Sequence, residues 1–332
     1  MTTDSPAAII RTVGSPPVTD GRARFREIFC QLLLAESNDQ SPIGDCEDFL
    51  FKLNDEPLSI EPPQPLPKLT TRFQILIVPG FLNECFASIA LPFEEAIQSI
   101  NDQLVESELI MVSGRSSSDV NAVYIAEKIS ELDLAVDEYL VIIGHSKGAV
   151  DTMHSLVNFP EASRRVSAVI SVAGAINGTP LVDNLDEIYF NLAQNYLPSS
   201  CDEGDKGALN SLRPATRLSW MAANPLPGST RYFSLATFSR REQINTLLKP
   251  GYDQLQIYSP RNDGILLSTD QLIPGSTLLG YANSDHWSVA LPLDKKNRLI
   301  SATIQAPNPF PRKILLQAML LYVAEILETS NQ

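Results

Sequence analysis

One stretch limits the folds open to this chain of 332 residues more than any other. Tyr139-Leu140-Val141-Ile142-Ile143 is an apolar run that ends in Gly144-His145-Ser146-Lys147-Gly148 and passes directly into Ala149-Val150. A Gly-x-Ser-x-Gly segment between a strand and a helix lets the backbone make a cramped turn, because the positions two before and two after the serine carry no side chain. Ala149, Val150, Met153, Leu156 and Val157 then recur at the spacing of one helical face. Ser146 is expected at the tip of a buried strand, above a helix N-terminus that favours developing negative charge. A plain Gly-Ser turn would account for the glycines but not for the strand and helix flanking them.

The surrounding pattern repeats this alternation. Phe73-Gln74-Ile75-Leu76-Ile77-Val78 predicts a central strand, covered on both sides and ending at Pro79-Gly80-Phe81. A helix over 91–104, a strand over 109–112 and a helix carrying Ala122, Ile125, Ala126, Ile129 and Leu132 on one face follow, with Ser117, Ser118 or Asp119 as cap. Then come the strand 139–143, the helix after Ser146 and a strand over 166–173. Such a succession implies a parallel sheet with right-handed crossovers. Strands are also expected at 232–236, 254–258 and 277–281, and a closing helix at 312–328.

Two regions fall outside this rhythm. Residues 1–70 read as an N-terminal extension, with helices at 22–35 and 46–53 and a Pro-rich linker from 57 to 67. Residues 181–230 separate two predicted strands by more than a connection needs. They carry Leu185, Ile188, Tyr189, Leu192 and Tyr196 at helical spacing, then Trp220 and Met221, and are read as a lid over the strand ends rather than as more core. The catalytic unit is expected to span 71–330.

Composition narrows the function. A formal net charge of −14, with no run of Lys or Arg, argues against nucleic-acid binding and against attraction to an anionic membrane. Cys30, Cys46, Cys85 and Cys201 are scattered, so neither a zinc site nor a disulfide framework is implied. The first residues lack a basic start and a long apolar stretch, which points to the cytoplasm. The apolar segment 314–327 is too short to span a bilayer and is expected as a buried helix.

A serine hydroxyl needs a base, and the base an acid to orient it. Of the three histidines, His145 is adjacent to the serine within the turn, and His154 lies eight residues along the helix, roughly 12 Å away. Both are read as structural, which leaves His286 as base. No histidine precedes the turn, so only the order serine, acid, histidine remains. Asp263, in the turn Asn262-Asp263-Gly264 after a predicted strand, is the expected acid, with Asp270 as alternative. The backbone N–H groups of Lys147 and Phe81, or Leu82 in place of Phe81, are the expected donors to an oxyanion. The Lys147 side chain is expected to be solvated. No metal or organic cofactor is required.

With Pro79-Gly80-Phe81, Gly144-His145-Ser146-Lys147-Gly148, Asp263 and His286 in this order, residues 72–328 resemble the α/β-hydrolase superfamily, and within it the bacterial lipases and carboxylesterases. Asn177-Gly178-Thr179-Pro180-Leu181 is similar to the segment these enzymes place beside the pocket, and Asp285-His286-Trp287 is similar to their histidine loop. Two departures stand out: proline replaces the common histidine before the oxyanion glycine, and lysine follows the serine. The resemblance implies an α/β-hydrolase fold and cleavage of carboxylic esters, whether small molecules or lipids, with transient contact at a lipid interface. Leu82, Tyr189, Leu192, Trp220 and Trp287 are candidate substrate contacts. A thioesterase, phospholipase, amidase or peptidase would share the same machinery, and a binding protein that kept only the fold is the alternative outside enzymes.

Overall fold

The computed structural model describes residues 16–37, 43–59, 63–81, 90–100, 104–184, 202–293 and 310–329. Within these, the strands are β1 (Thr19–Asp20), β2 (Leu50–Phe51), β3 (Arg72–Val78), β4 (Val105–Leu109), β5 (Glu138–His145), β6 (Val166–Val172), β7 (Arg231–Phe238) and β8 (Thr277–Asn283). They form one sheet in the order β1-β8-β7-β6-β5-β3-β4, parallel throughout, with β2 added antiparallel to β8. The helices are α1 (Arg22–Glu36), α2 (Cys46–Phe49), α3 (Glu94–Ile100), α4 (Ser118–Glu131), α5 (Lys147–Asn158), α6 (Pro160–Ser163), α7 (Leu181–Asn184), α8 (Ala208–Ser211), α9 (Pro214–Ala223), α10 (Lys249–Leu255) and α11 (Arg312–Thr329).

Side chains of a strand alternate between faces, and the central strands divide accordingly. Phe73, Ile75 and Ile77 of β3 join Val141 and Ile143 of β5 in a core with Phe25 and Ile28 of α1 and Leu315, Met319 and Val323 of α11. Leu76, Val78, Leu140 and Ile142 face the other way, against Ile125 and Ile129 of α4 and Leu156 of α5. Both faces of the sheet are therefore covered, as near-continuous apolar strands require. The buried helix expected near the C-terminus is α11, and no helix among the described residues is long and apolar enough to cross a membrane. Ser117 caps α4, its hydroxyl accepting from the Val120 N–H at 3.3 Å.

The helix expected over 46–53 ends at Phe49, and Leu50–Phe51 pair with β8 as β2 instead. Three further local expectations are corrected. The strand expected over 109–112 is β4, four residues earlier. It lies at the sheet edge, where Glu106 and Ser107 can occupy a strand without entering a core, while Ile110 and Val112 are buried in the loop that follows. Residues 254–258 are not a strand. Pro250 opens α10, and Ile257 and Tyr258, at 75% and 58% exposure, follow its end. Two apolar residues at alternate positions gave too short a window to separate strand from helix. Finally, Cys30 and Cys46 form a disulfide although their spacing suggested none.

That disulfide ties α1 to α2 in the N-terminal region, which is built into the main sheet. β1 and β2 both pair with β8, and α1 packs along α11. Arg26 bridges the region from within, pairing with Glu56 and donating to the carbonyl oxygens of Leu50 and Phe51 at 2.8 and 2.7 Å. Arg24 of α1 donates to Glu325 of α11 at 2.7 Å. Because the disulfide closes a loop of sequence separation 16, replacing both cysteines by serine is expected to cost about 3 kcal/mol on a chain-entropy argument. Urea unfolding of wild type and variant under non-reducing conditions measures it, and reductant should bring the wild type down to the variant.

Candidate active site

The turn after β5 has the strain its sequence implies. Ser146 has φ 57° and ψ −125°, a conformation costly for any residue with a side chain. It persists because the neighbouring backbones leave no alternative. A Cβ on Gly148 would lie 2.1 Å from the Val78 carbonyl oxygen, and one on Gly144 2.5 Å from the Ala149 Cα. Gly80 closes on the turn from β3, since a Cβ there would fall 2.7 Å from that of Ser146. Pro79-Gly80-Phe81 therefore lies against the serine. Lys147 begins α5, so its N–H has no acceptor within the helix.

The three expected side chains are brought together. Ser146 Oγ lies 2.8 Å from His286 Nε2, and His286 Nδ1 lies 2.8 Å from Asp263 Oδ2. A carboxylate can only accept, so Nδ1 carries the proton and Nε2 is free to accept from the serine hydroxyl. Asp263 is fully buried and well satisfied. Its Oδ2 also accepts from Thr237 Oγ1 at 2.7 Å and Gln271 Nε2 at 3.2 Å, and its Oδ1 from the N–H groups of Leu266 and Ile265 at 2.7 and 2.9 Å. The Thr237 N–H and carbonyl in turn hold the Gln271 amide at 2.6 and 2.9 Å. The Asp263 carbonyl accepts from the His286 N–H at 3.0 Å.

The alternative acid, Asp270, points elsewhere. It bonds the Asn177 side chain, and burial pushes its pKa up to about 6 despite that bond. Asp285 is also buried and serves the loop, accepting from the N–H groups of Asn245, Trp287 and Ser288 at 3.0, 3.0 and 2.8 Å. Burial raises its pKa. His145 is buried, its Nε2 2.9 Å from the His286 carbonyl oxygen. Burial, and then the nearby His286, hold its pKa down to about 3.

The Lys147 side chain is not solvated as expected. It is 1% exposed and grips Asp151, one turn along α5, at 2.7 and 2.8 Å. Asp151 also accepts from Asn121 of α4 at 2.7 Å. Sequence reading did not foresee this pair, although Lys147 and Asp151 stand at i and i+4 of a predicted helix, where such contacts form. Further along α5, His154 Nδ1 meets Asp119 at 2.8 Å, and its Nε2 accepts from Arg217 of α9 at 2.7 Å. Arg217 also donates to the Ile176 carbonyl at 2.9 Å. Thr237, Gln271 and Arg217 were not anticipated, since nothing in their local sequence signals a partner so distant.

The candidate substrate contacts divide. Trp220 stacks on the His154 ring, centroids 4.0 Å apart, and lies under Arg217. Trp287 packs with Ile244, Leu248 and Tyr252. Leu82, Tyr189 and Leu192 lie outside the described residues. Of the segment read as a lid, 202–230 bridges two regions. Asp205 accepts from the Ser117 N–H at 2.6 Å and the Ala208 N–H donates to Arg115 at 3.1 Å, beyond the end of β4, while α9 is fixed to α5 through Arg217. No group of three side chains suited to a metal occurs among the described residues.

A doubly covered parallel sheet with a strained serine between its central strand and a helix defines an α/β-hydrolase fold. The chain belongs to the α/β-hydrolase superfamily. It matches a metagenomic carboxyl esterase at 37% sequence identity and a TM-score of 0.86, over 98% of this chain and 97% of that one. It also matches the mature form of a Bacillus licheniformis lipase at 21% identity and a TM-score of 0.52, over 67% of this chain and 89% of that one, a likeness of fold alone. No protein-family model matches the chain, and neither does any curated protein sequence.

Two predictions concern α5. Asp151→Ala leaves the Lys147 ammonium buried without its carboxylate, and is expected to destabilise the protein by about 3–5 kcal/mol in urea unfolding. The second concerns pH. Burial, then Arg217, lower the His154 pKa to about 4, against the opposing pull of Asp119 and Asp151. The unfolded chain binds that proton near 6.5 and the folded one only near 4, so stability present above 6.5 is lost as pH falls towards 4. Asp270, with its pKa raised, acts in the opposite sense between 6 and 3.8. Comparing wild type with His154→Gln isolates the histidine: the variant should lose less stability than wild type between pH 7 and pH 4.5.

Proposed function

We propose that this protein is a serine hydrolase of carboxylic esters. The observation that carries the reading is the unbroken line of hydrogen bonds from Asp263 through His286 to Ser146, each 2.8 Å long, in a chain 37% identical to a carboxyl esterase. Ser146 Oγ attacks the ester carbonyl as its proton passes to His286 Nε2, and Asp263 stabilises the resulting imidazolium. The oxyanion is held by the N–H of Lys147, at the free end of α5, and by that of Phe81. Collapse expels the alcohol, which takes the proton from His286. Water, deprotonated by the same imidazole, then releases the carboxylic acid and restores the serine.

Residues 71–330 form the catalytic unit in this reading, with β1 and β2 of the N-terminal extension added to its β8 edge. Residues 181–230 form a cap, a role supported by the span of 202–230 from the end of β4 to α5. We read the Cys30–Cys46 disulfide as favouring an oxidising compartment over the cytoplasm expected from the sequence. The substrates in this reading are small-molecule or lipid esters. A thioester, phospholipid or amide substrate would use the same residues.

Ser146→Ala is expected to lower kcat on p-nitrophenyl esters by at least about 10⁴-fold, and Asp263→Asn by about 10⁴-fold, with the fold intact by circular dichroism. A Ser146→Ala variant that keeps most of its activity overturns the reading. Labelling by a fluorophosphonate separates a working nucleophile from a fold that only binds: the wild type should label and Ser146→Ala should not. Rates on matched esters, thioesters and amides then rank the substrate classes.

A further inference from the structure

The hydrogen bond between His145 and the main chain of His286 has no part in the mechanism above, yet it joins the two segments that the mechanism must hold in register. We infer that His145 is a positioning residue: its imidazole Nε2–H pins the carbonyl of residue 286 and so sets the base against the nucleophile. This inference rests on the reading of Ser146 and His286 as nucleophile and base.

A carbonyl oxygen has no proton to give, so at 2.9 Å the proton of this bond belongs to His145 Nε2. The peptide groups of His286 are then held at both ends. Its N–H donates to the Asp263 carbonyl at 3.0 Å, and its C=O accepts from His145. Asp285 fastens the flanking residues through the N–H groups of Trp287 and Ser288. His145, the last residue of β5, and Ser146 are consecutive, so one dipeptide reaches residue 286 twice, to the ring at 2.8 Å and to the carbonyl at 2.9 Å.

The ring of His145 must also stay uncharged. Its centroid is 5.2 Å from that of His286, which becomes cationic during the reaction, and a second cation there would oppose the proton transfer. Burial and then the neighbouring His286 lower its pKa, against the bond to the His286 carbonyl and the charge of Asp263, the acidic group that also faces it. Neutral imidazole thus supplies a donor without a charge, which neither lysine nor arginine could do.

His145→Phe keeps the ring's bulk and removes the donor, and His145→Gln restores an amide N–H at similar reach. With p-nitrophenyl esters, His145→Phe should lose kcat by about 100-fold, the scale of a misplaced catalytic group, with KM little changed. His145→Gln should recover most of the loss and keep the acid limb of the pH profile. Equal impairment of the two variants, or full activity in His145→Phe, overturns the inference. Nitrogen-15 NMR of the wild-type imidazoles tests it without any variant: His145 should be the Nε2-protonated tautomer and stay neutral down to about pH 4. The other tautomer, or a ring titrating near 6.5, also overturns it. Wild-type protein that neither hydrolyses esters nor takes a fluorophosphonate label fails the esterase reading instead, and the NMR result is unaffected by that failure.

Discussion

The contact on which this architecture turns is the approach of the α5 backbone to the carboxyl end of β3. The chain at Gly148 passes so close to the Val78 carbonyl that no side chain fits between them. With that contact fixed, the strand before Ser146 and the helix after it have a single way to join, and the serine takes the left-handed backbone that results. The strain is local, but what over-determines it is spread widely. Val78 lies in a strand buried from both sides, and Ala149 and Val150 of α5 are equally enclosed. A rigid sheet therefore converts packing far from the serine into the orientation of one hydroxyl.

Much of this was legible in the sequence, and the legible parts share a physical reason. Buried parallel strands must be apolar on both faces, so β3, β5, β6 and β7 announce themselves as short unbroken runs. The serine turn is legible because its glycines answer a steric demand. By contrast, β4 sits at an edge and alternates with glutamates, so the apolar run that follows it is the stronger strand signal. The helical turn at 249–255 leaves only a faint trace, because Pro250 at its start weighs less in the pattern than two apolar residues near its end. For the candidate site, Ser146, Asp263 and His286 could be found by order and loop context. Thr237 and Gln271, which complete the surroundings of Asp263, could not, because a hydrogen bond between distant segments leaves no periodic trace.

Several buried ions among the described residues meet an opposite charge or a set of fixed dipoles. Lys147 has Asp151, Arg26 has Glu56 and two carbonyl oxygens, and Asp285 has three N–H groups. Such groups add little net stability compared with apolar packing, but they tolerate few alternative arrangements. Along α5 this specificity is concentrated, with the Lys147 pair near one end and the His154–Arg217 contact further on. The helix that begins at the serine is thereby fixed both to α4 through Asn121 and to α9 through Arg217.

The pairing of β1 and β2 with β8 has a consequence for the lateral rim of the sheet. Without these two short strands, β8 would present a line of unused main-chain donors and acceptors, the kind of margin along which separate molecules stack into larger assemblies. Here that margin is taken up by the same polypeptide, and the strut between Cys30 and Cys46 helps keep the covering segment from peeling away. Residues 16–37 and 43–59 thus act as a sealed hem, guarding the rim strand β8 against self-association at some distance from the serine.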